Sequence, residues 1–377
     1  MNISDARIVI IGGGIAGATT AFHLARRGAR HISILEKERT CGYHASGRNA
    51  AMIRQVTSSL PVTAMAREGA LFFIHPPADW EVSPAFRQTG SLLLASGDAM
   101  AELDRFVSIA GTFGIPVELW TREQVVGRVP VLQDAVLDGA LWSPTDGVID
   151  VHALMEGYLH GVRSAGGQVW TELIATGFRF SGGRIAAVET GDAEIAADMV
   201  INAAGAWASE IGRLAGAASL PLRPCRRHLF STGPAEGVDP EWPFVWDVAH
   251  EFYFRPESGG LLFSPCDEEE FTPSDAPADP AYQVALAEKL HRFAPRLLEF
   301  SIQTAWAGLR TLTPDGRFVI GWDPLIENFF WVAGLGGHGV TTSPAYGKLA
   351  AQILARDSPV DADGFSPGRF TAHQRRN

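Results

Sequence analysis

The sequence predicts an α/β protein with two domains: one that binds a dinucleotide, and one built on a mixed, largely antiparallel β-sheet. Near the N-terminus an apolar strand, Arg7–Ile11, runs into a Gly-x-Gly-x-x-Gly turn and a helix, and the next apolar run ends at Glu36. Later apolar runs stop at small residues, as parallel strands do at the ligand edge of a doubly wound sheet. Residues 220–322 instead alternate short β-like runs with turns, which is typical of antiparallel pairing.

The strand–turn–helix unit is the first element. Gly12 permits the tight turn, Gly14 lets the backbone approach a pyrophosphate, and Gly17 lets the helix and the strand pack closely. Glu36 follows near the spacing at which such a unit places an acid that accepts from a ribose hydroxyl. The helix N-terminus would face the phosphates. We therefore predict a Rossmann-like dinucleotide-binding domain.

Periodicity and turn residues predict the remaining elements in order. Helices are predicted over residues 62–73, 99–113, 148–164, 282–293 and 343–356. Strands are predicted over residues 87–95, 168–171, 197–202, 226–231, 251–255, 260–264, 303–310 and 329–333. Residues 75–80 and 266–280 are rich in proline and predict loops. The second loop also holds four consecutive acids, so we expect it to be solvated, with a lid as the alternative.

This order makes the dinucleotide-binding domain discontinuous. It is expected to comprise residues 1–55, 148–216 and 320–377, and the substrate domain residues 56–147 and 217–319. The hydrophobic fraction of 46% in 377 residues is enough for substantial cores.

Charge and cysteine usage exclude several classes of function. The net charge of −11 argues against a nucleic-acid partner. Cys41, Cys225 and Cys266 lack metal-ligand spacing, so we expect no metal site and no disulfide framework. No run is long and apolar enough to span a bilayer, and glycines interrupt the first apolar stretch where a signal peptide would continue. We therefore expect a cytoplasmic protein with no transmembrane segment.

Three further motifs resemble those of the D-amino acid oxidase and sarcosine oxidase superfamily of FAD enzymes. They are Gly-Tyr-His-Ala-Ser-Gly-Arg-Asn-Ala-Ala at residues 42–51, Trp-Ala-Gly-Leu-Arg at 306–310 and Gly-Gly-His-Gly at 336–339. Together they are most similar to the bacterial D-arginine dehydrogenase branch. The resemblance implies a Rossmann-like FAD-binding domain, with the isoalloxazine ring over residues 44–51. It also implies a helix N-terminus at the flavin C2 oxygen, where it would stabilise negative charge.

The resemblance assigns the cofactor contacts to the turns and loops around these motifs. The residues expected to contact FAD are Gly12, Gly14, Ile15, Ala16, Gly17, Glu36, Lys37, His44, Ser46, Gly47, Arg48, Asn49, Ala50, Ala51, Ala204, Gly205, Trp207, Arg310, Gly336, Gly337, His338, Gly339, Val340 and Thr341. Relatives that attach FAD covalently use a cysteine shortly before a Thr-Pro-Asp turn. Residues 308–312, which precede that turn here, contain no cysteine, so we predict non-covalent FAD.

The resemblance also implies residues that act on the substrate. Arg310 matches the family's carboxylate-binding arginine, whose planar guanidinium can donate two parallel hydrogen bonds. Tyr253 matches a hydroxyl that supports the same carboxylate, and either Arg227 or Arg226 matches a second pocket arginine. His44 could hold a water or the substrate amine, or could be a structural histidine.

The implied reaction is oxidative deamination of an amino acid. Hydride would leave Cα for flavin N5, and the released imino acid would hydrolyse to the 2-oxo acid. Basic-substrate relatives carry an acid in the stretch that matches residues 87–91, which has no carboxylate here. Phe244 and Trp246 are expected to make the substrate pocket apolar. We therefore predict a dehydrogenase of D-amino acids with neutral or apolar side chains.

Other activities could use the same carboxylate anchor. They are oxidation of an N-methyl amino acid or glycine, dehydrogenation of a 2-hydroxy acid, and service as the flavin subunit of a hetero-oligomeric dehydrogenase. An NAD(P)-linked dehydrogenase is the least favoured. The electron acceptor is expected to be a quinone, a dye or oxygen. Sarcosine oxidase relatives place a lysine over the flavin, and Leu262 stands at the matching position, which favours a dehydrogenase over an oxidase.

Overall fold

The computed structural model describes residues 3–78, 80–191, 193–356 and 364–371. The ends of the predicted FAD-binding domain, at residues 1–2, 357–363 and 372–377, lie outside the described residues, as does Asp79 in the predicted proline-rich loop.

The strands are β1 (Arg7–Ile11), β2 (His31–Leu35), β3 (Met52–Ile53), β4 (Ser91–Ala95), β5 (Glu118–Thr121), β6 (Gly139–Ser143), β7 (Gly147–Val148), β8 (Gln168–Trp170), β9 (Gly177–Ser181), β10 (Arg184–Thr190), β11 (Ala193–Ala196), β12 (Met199–Asn202), β13 (Arg223–Ser231), β14 (Phe244–Asp247), β15 (Phe252–Glu257), β16 (Gly260–Ser264), β17 (Thr304–Leu312), β18 (Val319–Trp322) and β19 (Phe329–Ala333). The α-helices are α1 (Ile15–Arg26), α2 (Leu60–Ile74), α3 (Met100–Thr112), α4 (Arg122–Arg128), α5 (Val151–Ser164), α6 (Ala208–Leu214), α7 (Pro280–Phe293), α8 (Ser343–Leu354) and α9 (Gly368–Thr371).

A six-stranded sheet forms the centre of the dinucleotide-binding part. Its order is β18-β19-β12-β1-β2-β8, and it is parallel except for β18, which runs antiparallel to β19. Along β1, Ile8 and Ile10 pack into the core that contains α1, α5 and α8, whereas Val9 and Ile11 face the core that contains β10 and α6. Burial on both faces explains why these strands read as continuous apolar runs.

An eight-stranded sheet forms the other large layer, in the order β17-β13-β16-β15-β14-β4-β6-β5. All its neighbours are antiparallel except β14 and β4. Both faces of β4 are buried: Leu92 and Leu94 pack into one hydrophobic core, and Leu93 and Ala95 pack into another. The predicted α/β fold, with a mixed and largely antiparallel second sheet, is therefore confirmed.

The two large sheets take their strands from alternating stretches of the chain. The six-stranded sheet uses strands between residues 7 and 35, 168 and 202, and 319 and 333, whereas the eight-stranded sheet uses strands between 91 and 143 and between 223 and 312. The exact domain boundaries stay a prediction. No helix in the described part of the chain combines the length and the apolarity that crossing a membrane requires.

Local contacts move several predicted boundaries. The helix predicted from residue 148 begins at Val151, because Gly147–Val148 pairs with β3 and the Asp150 side chain caps Ala153 N at 3.0 Å. The strand predicted from residue 87 begins at Ser91, after Gly90 turns with a positive φ. The small sheet β11-β10-β9 was not predicted, since most residues of its outer strands β9 and β11 are exposed.

Candidate active site

A cavity of about 1000 Å³ is lined by residues of both large sheets. Its lining includes Ile11, Leu35 and Ala203, at or just after the carboxyl ends of β1, β2 and β12. Ligands bind at this edge of doubly wound sheets.

The glycine turn after β1 has a geometry that side chains would block. Gly12 adopts φ +110°, and a Cβ there would lie 2.4 Å from the carbonyl oxygen of Ala203. A Cβ on Gly17 would lie 2.0 Å from the carbonyl oxygen of Gly12. Gly17 itself does not line the cavity, so its contribution is the close approach of α1 to the turn. The N-terminus of α1 is thereby held at the cavity, where its N–H groups attract phosphate.

Glu36 is buried at the end of β2 and lines the cavity. Its carboxylate accepts from the backbone N–H groups of Gly13 and Glu38, each at 2.9 Å, and burial raises the pKa of Glu36. An ionised carboxylate has about four acceptor sites, so capacity remains for a ribose hydroxyl. Nearby, Lys37 Nζ lies 3.3 Å from the ring centroid of Trp207. The turn, the acid and the cavity together fit a dinucleotide such as FAD.

The loop of residues 42–51 folds over this end of the cavity. Ser46 Oγ accepts from Ile15 N at 2.9 Å, which joins the loop to the first turn of α1. Asn49 closes the loop by accepting from Ala51 N and donating to the Ser46 carbonyl. Gly47, expected to contact FAD, does not line the cavity; a Cβ there would meet the Gly42 carbonyl at 2.7 Å, so it serves the loop's own turn.

His44 lies on the same side as the nucleotide-binding residues. Its Nε2 is 2.7 Å from Glu38 Oε1, and its ring centroid is 4.5 Å from that of Trp207. Burial lowers the pKa of His44, and the bond to Glu38 opposes that shift. His44 also lines the cavity, so both the cofactor-contact and the structural interpretation stay predictions, and none of the described contacts joins it to Arg310.

Arg310 and Arg227 of the eight-stranded sheet line the cavity, and Tyr253, which does not line it, lies near both and completes a second cluster. In the pairing of β13 with β17, Arg227 lies opposite Gly308, and Arg310 lies opposite Cys225. Burial lowers the pKa of Arg310, and the nearby charge of Arg227 lowers it further. Arg227 donates to the carbonyl of Asp267 at 2.6 Å and to Glu268 at 2.8 Å. Among the described residues, neither its Nη1 nor the Tyr253 hydroxyl has a hydrogen-bond partner, although both are buried.

The structure distinguishes the two neighbouring arginines. Arg227 lines the cavity, whereas Arg226 projects from β13 to pair with Glu269 and to stack 4.1 Å from the ring centroid of Phe271. Successive residues of a strand face opposite sides, so only one of the two can enter the pocket.

Of the two aromatic residues predicted to line the substrate pocket, one lines the cavity. Trp246 lines the cavity and lies 5.1 Å from Tyr253 between ring centroids. Phe244 does not line it, because this residue is completely buried within the sheet, opposite Ser91 of β4. Arg54, which the motifs did not indicate, lines the cavity with its guanidinium 4.9 Å from the Trp246 ring centroid.

The loop before α8 closes the cavity on the side of Arg310. Residues 336–341 line it, as do Ala204, Gly205 and Trp207 after β12. A Cβ on Gly337 would lie 3.0 Å from Arg310 Nη1, so this glycine gives the guanidinium room. Burial lowers the pKa of His338 to about 3, and the charges of Arg54 and Arg310 act in the same direction. Its imidazole is therefore neutral.

The acidic loop of residues 266–280 is tethered rather than merely solvated. Asp267, Glu268 and Glu269 pair in turn with three consecutive residues of β13, His228, Arg227 and Arg226. Further along, Asp275 pairs with Arg48 at 2.5 Å and accepts from the Tyr43 hydroxyl at 3.1 Å. Sequence reasoning missed these contacts, since each joins residues far apart in the chain.

Comparison with known proteins shows relatives along almost the whole chain. FAD-dependent oxidoreductase domain-containing protein 1 of Bos taurus is 27% identical, over 92% of this chain and 80% of its own length. Mitochondrial sarcosine dehydrogenase of Homo sapiens is 27% identical, over 97% of this chain but only 42% of its own length. This chain therefore spans less than half of the human protein.

Among solved structures, the L-proline dehydrogenase from P. horikoshii has a TM-score of 0.88 and 26% identity, with 98% of each chain covered. A family profile described as "FAD dependent oxidoreductase" matches residues 7–353. That match includes the glycine turn, both arginine-bearing strands and the loop before α8. With the cavity and its glycine turn, it shows that the protein is an FAD-dependent oxidoreductase and that the chain belongs to the FAD dependent oxidoreductase (DAO) family.

Proposed function

We propose that the protein oxidises a carbon–nitrogen bond next to a carboxylate, with an amino acid or an N-alkyl amino acid as the substrate. The observation that carries this proposal is the cluster of Arg310, Arg227 and Tyr253. Its buried donors at Arg227 Nη1 and Tyr253 Oη lack partners among the described residues. Leaving buried polar groups unpaired is costly, so such groups indicate a ligand that pairs with them. A carboxylate supplies the complementary charge and several acceptor sites.

Each residue of the cluster then has a role in holding the substrate. Arg310 forms the charged anchor, Arg227 Nη1 adds a donor, and the Tyr253 hydroxyl donates from β15, which β16 separates from β13. Bound FAD supplies the two-electron acceptor for the oxidation. The anchor orients the substrate, and Trp246 excludes water from one wall of the pocket. The imine product hydrolyses in water after release.

The class of amine is the finer part of the proposal. The sequence predicts D-amino acids with neutral side chains and a place in the D-arginine dehydrogenase branch. Secondary amines are the second candidate, because the similar proteins include one named for sarcosine and one named for L-proline. Both candidates carry the carboxylate that the arginine cluster would bind, so the cluster alone does not choose between them.

A substrate panel tests both levels of the proposal. The purified protein is mixed anaerobically with D- and L-alanine, leucine and arginine, and with glycine, sarcosine, proline and 2-hydroxy acids, while loss of the flavin's visible absorbance is followed. Ethylamine, which is alanine without its carboxylate, is the matched control. We expect carboxylate-bearing amines to bleach the flavin and ethylamine not to. Equal bleaching by ethylamine, or bleaching by 2-hydroxy acids alone, would refute the proposal.

Turnover with an artificial dye tests independence from a partner. If the isolated chain transfers electrons from a bleaching substrate to the dye, it is a complete dehydrogenase. If it is bleached but does not turn over, the flavin-subunit alternative is favoured.

A further inference from the structure

Arg54 is a half-buried cation that lines the cavity and that the carboxylate-anchoring cluster does not use. It follows β3, at the end of the loop that covers the nucleotide side of the cavity. Its Nε donates to the carbonyl of Val56 at 2.9 Å. Its guanidinium stacks between aromatic rings, 4.9 Å from the centroid of Trp246 and 5.5 Å from that of Phe106. Arg54 also lines the cavity, and none of the described hydrogen bonds involves its terminal amino groups.

Arg54 has no ion-pair partner among the described residues. The carboxylate whose charge acts on it, Asp146, instead accepts from Ser91 Oγ at 2.7 Å and from Gln55 N and Nε2, each at 3.0 Å. Burial lowers the pKa of Arg54, and the charge of Asp146 opposes that shift. A half-buried guanidinium that faces a cavity without an ion-pair partner is suited to bind an anionic group of a ligand.

Trp246 connects Arg54 to the carboxylate-anchoring cluster. Arg54 stacks on its ring, and Tyr253 lies against the same ring with centroids 5.1 Å apart at 47°. The charges of both Arg54 and Arg310 act on His338. The two cations therefore belong to one cavity. An occupant held by Arg310 at one end and extending past Trp246 would meet Arg54.

We propose that Arg54 is a second anion-binding group, so that the substrate carries a second negative charge in its side chain or on its nitrogen substituent. The corresponding substrate class is acidic amino acids and N-carboxyalkyl amino acids. This inference rests on the proposed function, since it takes the cluster of Arg310, Arg227 and Tyr253 as the site of the first carboxylate. It replaces the expectation of an apolar substrate side chain.

Binding of inert diacids to the FAD-loaded protein tests the proposal without turnover. Each straight-chain diacid from malonate to adipate is compared with its own monoamide, which has nearly the same shape and one charge less. Dissociation constants come from calorimetry or from the change in the flavin spectrum. We expect the diacid to bind at least about tenfold more tightly than its monoamide at one chain length or more, as for a desolvated charge pair.

Substitutions test whether Arg54 causes the preference for the diacid over its monoamide. Arg54→Gln should reduce the ratio to below about threefold, because it removes the cation and keeps a hydrogen-bond donor, and Arg54→Lys should retain part of it. Arg105→Gln is the matched control. Arg105 is an exposed arginine that donates to the Ser58 carbonyl at 3.4 Å near the same cavity, so its loss changes the net charge equally. The ratio should stay within twofold of the parent value in this control.

Three results would overturn the inference: equal binding of diacid and monoamide at every chain length, a ratio unchanged in Arg54→Gln, or an equal loss in Arg105→Gln. A low FAD content in Arg54→Gln, together with no diacid preference in the parent, would assign the residue to the cofactor instead. Failure of the proposed function gives a different result. In that case no amine bleaches the flavin, whereas diacid preference is measured independently of any oxidation.

Discussion

Replacement of Arg310 by methionine isolates the contribution of the carboxylate anchor. Methionine keeps much of the volume and removes the charge. Arg310 lies on β17 beside Arg227, with the Tyr253 hydroxyl close by, so its loss leaves a bound carboxylate without its main counter-charge. We expect catalytic efficiency toward carboxylate-bearing amines to fall sharply while FAD stays bound.

The magnitude follows from the geometry of a guanidinium–carboxylate pair. A bidentate pair makes two charge-assisted hydrogen bonds, each contributing roughly 1.5–3 kcal/mol. Truncating one partner of a buried pair costs about 3–5 kcal/mol. Since about 1.4 kcal/mol corresponds to a factor of ten, kcat/KM should fall by roughly two to three and a half orders of magnitude.

Stability without substrate should change in the opposite direction. Burial and the charge of Arg227 both lower the pKa of Arg310, so both oppose its charged form in the folded protein. Replacing it by an apolar side chain removes this cost, as in buried ion networks replaced by hydrophobic residues. We therefore expect the Tm of FAD-loaded Arg310→Met, without substrate, to equal or exceed that of the parent.

Arg226→Met is the matched control, because this neighbouring arginine faces Glu269 and does not line the cavity. It should lose stability through the broken pair and leave KM within about twofold of the parent value. Kinetics of Arg310→Met within a factor of two of the parent would refute the anchoring role. A loss of FAD in that variant would show instead that Arg310 supports the cofactor.

Three further outcomes are expected. Acid or heat denaturation should release the yellow colour into the supernatant, since FAD is predicted to be non-covalent; colour that precipitates with the chain contradicts this. Gly12→Ala should abolish FAD binding, because its Cβ would lie 2.4 Å from the Ala203 carbonyl, whereas Gly28→Ala, also at positive φ but with open space around it, should retain the flavin at a cost of about 1–2 kcal/mol; an equal FAD content in both variants would refute the steric argument. Substrate-reduced enzyme should reoxidise slowly in air, because the position predicted for an oxygen-activating lysine is Leu262, buried against Ala50 and Tyr253; reoxidation at the rate of turnover with stoichiometric peroxide would identify an oxidase.

Much of the fold could be predicted because local pattern determines it. The parallel strands of the first domain are buried on both faces, so their apolar runs were recognisable, and the glycine turn has few alternatives to the conformation found. The sheet β11-β10-β9 shows the limit of this reasoning. Its strands β9 and β11 are largely exposed, and the Phe-Arg-Phe alternation in β9 is too short to identify a strand by itself.

Residues of the candidate site could be predicted only where they belong to a recognisable motif that fixes their local geometry. Glu36 and the glycine loops carry their geometry in the sequence, and the cavity brings them together. Arg226 and Arg227 are adjacent, so one faces the pocket and the other faces away. The sequence does not show which face of β13 is turned to the pocket, because both positions hold the same residue type. Phe244 does not line the cavity because β14 pairs with β4, and sequence alone does not predict this pairing between distant segments.

The counter-charges of buried arginines come from distant loops, and this is why sequence alone could not separate structural from ligand-binding arginines. Arg226 and Arg227 both meet acids of the loop at residues 267–269, but Arg227 retains a buried amino group with no partner among the described residues. Arg54 has aromatic neighbours and one backbone acceptor in place of a carboxylate. The ligand-binding candidates differ from the structural arginine in having guanidinium N–H groups that no described protein group accepts from. A folded chain that holds cations in a cavity without counter-ions is stabilised when a ligand brings the missing charge. Carboxylate ligands should therefore raise the Tm of the parent protein more than that of Arg310→Met.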